Sequence, residues 1–163
     1  MSGLALFTLV HVAISLIGIV LGCIVVLGFI SAQQVSKWTT LFLTTTLATT
    51  VTGFLFPFNG FTPAIGVGIL SMAILILALV ALYKFRLAGS WRSVYVVSAV
   101  VALYFNVFVL VVQSFLKIPL LHKLAPQGSE PPFAIAQGIV LLVFVVGGFL
   151  SVRRFHPSVE ANV

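Results

Sequence analysis

Four side chains in this sequence combine hydrogen-bonding chemistry with apolar surroundings: His11, Asn106, Gln113 and Gln137. Each lies in a long run without Asp, Glu, Lys or Arg, and of the four only His11 can change charge near neutral pH. In the crossing order derived below, His11, Gln113 and Gln137 fall near one membrane surface and Asn106 lies deeper. Two arrangements suit them. In the leading one they hydrogen-bond between helices and fix packing, an interaction averaging about 0.6 kcal/mol per pair. In the second they line one outward-facing pocket for a small apolar ligand such as a quinone or a lipid. Haem is a narrower version of the second, because bis-histidine ligation needs His11 and the loop residue His122 to face each other.

Catalysis has little to work with. Metal-assisted hydrolysis needs clustered His, Cys or carboxylate ligands, and acid–base chemistry needs a positioned titratable pair. The two acids, Glu130 and Glu160, fall outside the apolar runs, and no nucleotide-binding loop is present. The single cysteine, Cys23, cannot form an intrachain disulfide and is read as a small packing residue. No catalytic residue, metal or cofactor is therefore expected. A small transporter ranks third, because proton-coupled transport usually uses an intramembrane acid.

The elements that position these groups follow from composition. The 163 residues are 61% hydrophobic and 6% charged, against about 25% charged residues in a typical soluble domain. Lipid must be the main solvent. The net charge of +6 would suggest nucleic acid in a soluble protein. Here the bases sit in short linkers with no basic stripe of stacking aromatics, so the bilayer is the expected partner and nucleic acid is not.

A spanning helix needs about 20 apolar residues. Five runs qualify, at 4–30, 39–56, 64–83, 93–115 and 133–152, and none alternates as barrel strands would. The expected fold is an all-α membrane protein, one transmembrane domain of about five helices. The first run lacks a basic start and is too long for a signal peptide, so it is read as a retained helix. Residues 57–63 (PFNGFTP) suit a tight reversal, and 116–132 forms the longest linker.

Six bases (Lys37, Lys84, Arg86, Arg92, Arg153 and Arg154) fall to one side of the membrane, and Lys117 and Lys123 to the other. The positive-inside rule then puts the N-terminus outside and the C-terminus in the cytoplasm. In lipid, small and polar residues mark packed faces. Thr8, His11, Ser15, Gly18 and Gly22 form such a stripe on the first helix, and Thr45, Thr49 and Thr52 on the second. Leu43, Leu47, Val51 and Phe54 oppose the second stripe and are expected to face lipid. Ala64, Gly68, Ser71 and Ala78 mark the third helix. Tyr95, Ala99, Ala102, Asn106 and Gln113 mark the fourth, opposite a bulky face that includes Tyr104, Phe108 and Phe115. Ala134, Gln137, Phe144 and Gly148 mark the fifth.

The segments TVTGFLFPFNGFTPA, ALYKFRLAGSWRSVYVVSAVVALYFNVFVLVVQSF and SEPPFAIAQ resemble a set of small bacterial multi-pass inner-membrane proteins with no assigned activity. The resemblance implies a bacterial inner-membrane location and carries over no functional residue. A looser similarity is to small multi-helix proteins with histidines near the FTPA position and before the fourth helix. This chain reads FTPAIG and SWRSVY there, without histidine, which removes the basis for a shared metal or haem role. The reading reached is a structural or accessory membrane component, partnered by lipid and by another membrane protein or further copies of itself.

Overall fold

The computed structural model describes residues 2–33, 35–57, 60 and 62–156. They form α1 (Gly3–Ile30), α2 (Ser36–Phe54), α3 (Pro63–Leu79), α4 (Trp91–Lys117), α5 (Pro119–Leu124) and α6 (Pro131–Arg154), with no strand among the described residues. A π-helical turn, Val80–Lys84, continues α3. The helix starts carry local signals. The Ser2 hydroxyl accepts from the Ala5 N–H, and Thr62 accepts from Ile65 just ahead of Pro63. Two prolines open α6, where the missing N–H costs nothing. The short helix α5 lies in the expected long linker, started by Pro119 and ended at Ala125. The reversal expected at 57–63 lies partly outside the described residues.

Four helical stretches are long and apolar enough to cross a membrane: α1, α3 with its π-turn, α4 and α6, with mean hydropathy of 2.4 to 2.9 over their best windows. The expected five-span count is thus met by four stretches on this measure, because the threonines and Lys37 lower α2. The surface agrees with a lipid solvent. In α6 none of the most apolar window is buried, and residues such as Leu142 are 64% exposed. Soluble monomers rarely show contiguous apolar surface on this scale.

The five long helices alternate in direction. Phe29, Ser36, Tyr83, Tyr95 and Phe155 surround one cavity. The C-terminal ends of α1, α3 and α6 therefore meet the N-terminal ends of α2 and α4 there. All six bases named above belong to this end. At the other end Phe7 packs on Phe56, with ring centroids 4.9 Å apart, and Phe115 on Phe133 at 5.4 Å.

Packing centres on α4, whose Tyr95, Ala99, Ala102 and Leu103 are almost fully buried. The glycines of α1 sit tightly against α2 and α4. A Cβ on Gly18 would lie 3.3 Å from the Thr45 hydroxyl, and one on Gly22 would lie 2.6 Å from Leu103 and 2.7 Å from the Phe42 ring. The small stripe on α1 is thus a packed face. Three face assignments need correction. Leu43 and Leu47 were expected to meet lipid, yet Leu43 is 3% exposed and Leu47 packs against the core, because α2 also touches α3 and α4 and its first half is covered on several sides. Val51 and Phe54 do face outward. Phe115, on the bulky face of α4, is also buried, because α6 docks on that face through Phe133 and, further along, through Tyr104 against Phe144. Cys23, read as a packing residue, is exposed.

Gly22→Leu tests this packing. Its neighbours Phe42 and Leu103 are 0% and 1% exposed and cannot move aside. The substitution should destabilise the protein in detergent by about 1–3 kcal/mol, the usual cost of overpacking. Val51→Ala, on the outward face, should leave the melting temperature nearly unchanged; equal losses at both positions would refute the assignment.

Candidate functional site

The polar groups of the apolar helices are held in different places. His11 sits on α1 one turn below Phe7, and its Nδ1 lies 2.8 Å from the Thr52 hydroxyl of α2. The Thr52 oxygen is also 2.7 Å from the Ala48 carbonyl, one turn earlier. A hydroxyl has one proton. With that proton given to Ala48, Thr52 accepts from a protonated Nδ1, and Nε2 is left as the lone-pair nitrogen. The Phe56 ring meets the imidazole edge-on at 5.1 Å. Gly53 leaves room for it, since a Cβ there would lie 3.7 Å from Cε1.

Asn106, mid-way along α4, donates from Nδ2 to the Thr46 hydroxyl of α2 at 3.4 Å. Gln137 of α6 donates from Nε2 to the Phe108 carbonyl of α4 at 3.2 Å. Its Oε1 is buried without a protein partner, as is the Thr49 hydroxyl oxygen. Gln113 is exposed. It lies near the end of α4, two residues before the buried Phe115. Three of the four expected residues thus serve three helix pairs, α1 with α2, α4 with α2, and α6 with α4, while the fourth points away from the bundle. The cavity at the basic end is lined by none of them. His122 is exposed on α5, which packs against α4, whereas His11 is engaged with α2.

Two features escaped the sequence reading. Arg92 entered it as a loop base, but its guanidinium reaches across to α6 and donates through Nη1 to the carbonyls of Val152, at 2.9 Å, and Phe155. It thereby caps the C-terminus of α6, where free carbonyls and the helix dipole favour a cation. No local pattern announces this bond, because its partners are 60 and 63 residues away. The second feature is a cavity of about 230 Å³ at the same end, lined by the hydroxyl-bearing residues Ser36, Thr39, Thr40, Tyr83 and Tyr95 together with Phe29 and Phe155. At the opposite end, the N–H groups of Gln127 and Ser129 donate to the two oxygens of Glu130. The Gln127 bond chiefly, with Ser129 adding, holds that carboxyl below its usual range.

No protein-family model, curated protein or solved structure matches this chain.

The His11–Thr52 bond can be measured by a double-mutant cycle with His11→Leu and Thr52→Val. A coupling of about 0.6 kcal/mol is expected, with about 1.7 as the upper end for such pairs in membranes. Strictly additive effects would mean that the pair contributes nothing to joining α1 to α2.

Proposed function

We propose that this chain is a non-catalytic, multi-pass membrane protein that acts as a structural or accessory component, with five spans in a bacterial inner membrane. In this reading α2 is the fifth span. Its 19 residues would rise about 28 Å at 1.5 Å per residue, close to the roughly 30 Å of the hydrocarbon core. Its threonines suit lipid because several satisfy themselves: Thr40, Thr45, Thr50 and Thr52 each donate to a carbonyl one turn earlier. The gathering of six bases at one end supports that end as cytoplasmic, leaving the N-terminus outside.

The observation that carries the accessory role is the distribution of polar groups. His11, Asn106 and Gln137 each tie one helix to another, as residues that fix packing do. A pocket shared by these residues and Gln113 gains no support from that placement. The transporter reading gains none either, since the described acid, Glu130, sits at the start of α6, outside the bilayer runs.

An accessory component has something to attach to. Extracted from its native membrane in a mild detergent, the protein is expected to migrate in a complex larger than its own monomer. Mass spectrometry should then find either a second membrane protein or multiple copies of this chain. A lone monomer at native expression, after crosslinking before extraction, would contradict the accessory role.

A further inference from the structure

The cavity at the basic end is the part of the molecule that the packing account leaves unused. It opens between the starts of α2 and α4 and the end of α3. Most polar residues along the spans bond to a carbonyl of their own helix or to a neighbouring helix, whereas here hydroxyls gather around open space. Thr39 and Tyr95 are the most enclosed of these, at 7% and 1% exposure. Thr39 does not donate to a carbonyl a turn earlier, as its neighbour Thr40 does to Ser36 at 3.2 Å.

Three bases adjoin lining residues in the chain. Lys37 follows Ser36, Lys84 follows Tyr83, and Arg86 precedes Leu87, and all three bases are exposed beside lining residues. No carboxylate occurs among residues 2–33, 35–57, 60 and 62–129, so nothing on these helices neutralises them. The chain beside the cavity departs from regular helix. The turn Val80–Lys84 is π-helical, and Arg86 and Leu87 both hold positive φ, 47° and 60°, a conformation that costs side-chain-bearing residues energy.

We propose that this cavity binds a phosphate-bearing anion, with the Thr39 and Tyr95 hydroxyls donating to its oxygens and Lys37, Lys84 and Arg86 supplying the attraction. The volume limits the ligand. At about 230 Å³ the cavity is smaller than the roughly 300 Å³ at which pockets for drug-sized molecules begin. It suits a headgroup rather than a whole cofactor. The phosphate can come from an anionic phospholipid of the surrounding leaflet or from free phosphate, and the two are separable by experiment. The proposal does not depend on the accessory role or on which leaflet holds this end.

The two tryptophans of the chain report on the site, since Trp38 precedes Thr39 and Trp91 opens α4. The purified protein in neutral detergent would be titrated with short-chain phosphatidylglycerol, with phosphatidylcholine of the same chain length, and with inorganic phosphate, following tryptophan emission. Saturable binding of phosphatidylglycerol over phosphatidylcholine is expected. Lys37→Gln and Arg86→Gln should each weaken it about fivefold, the worth of one base near an anionic surface. Lys117→Gln, at the opposite end, should leave it unchanged. Saturation by inorganic phosphate with the same variant pattern, and no tighter binding of the lipid, would assign the free anion instead. Equal binding of the two lipids without phosphate binding, or indifference to both charge variants, would overturn the site. Tyr95→Phe keeps the ring that packs on Phe29; with helicity unchanged, wild-type binding by that variant would overturn the role of the hydroxyls.

Discussion

A polar group in hydrocarbon has no water to turn to, so the protein must satisfy it or bear the cost. The architecture follows from that constraint. Backbone groups are met by helix formation. The side chains that remain are met in two ways, by bonds back to the same helix and by bonds across to a neighbour. Ser15, Thr45, Thr50 and Ser151 use the first. His11, Asn106 and Gln137 use the second. Gly18, Gly22 and Gly53 line the α1–α2 contact that carries the His11–Thr52 bond. Packing and polar satisfaction are here one requirement, met by the same stripes.

The two ends of the bundle differ in chemistry. At the basic end, aromatic rings fill the centre, with Phe29 packed against both Tyr95, at 5.6 Å, and Phe155, at 4.6 Å. Arg92 fixes the end of α6 beside them. A guanidinium bound to terminal carbonyls holds α4 and α6 in register in a way that apolar contact, which is nearly neutral in lipid, does not. The Phe85 ring stacks on Trp91 at 3.8 Å, bracing the linker between α3 and α4. At the other end the linker is organised by Glu130, whose carboxylate gathers the N–H groups of Gln127 and Ser129.

Much of this was legible from residue type and spacing. Uninterrupted apolar length marked the helices to within a few residues, and the aligned Thr8, His11, Ser15, Gly18 and Gly22 marked the face of α1 that packs. What sequence could not supply was the number of neighbours each helix has. A stripe argument assumes one buried face and one lipid face. It fails for Leu43, since α2 touches three helices, and for Phe115, since α6 covers the bulky side of α4. It fails also for Gln113, which is exposed although it lies on the polar stripe of α4. The shared pocket drew on depth alone, and depth does not say which helix pair a residue serves. Arg92 and the hydroxyl-lined cavity depend on contacts between residues far apart in the chain, which no local pattern encodes.

The central claim is that α2 crosses the bilayer among four more apolar helices, its hydroxyls satisfied by its own backbone. Thiol labelling tests it directly. In a Cys23→Ser background, single cysteines would replace Gln33, Ala48 and Gly60, and sealed cells and inverted membrane vesicles would be treated with an impermeant maleimide. The account predicts that position 33 reacts only from the cytoplasmic face, position 60 only from the outer face, and position 48 from neither. Reaction of positions 33 and 60 from the same face would show that α2 does not span, and would contradict the five-helix arrangement.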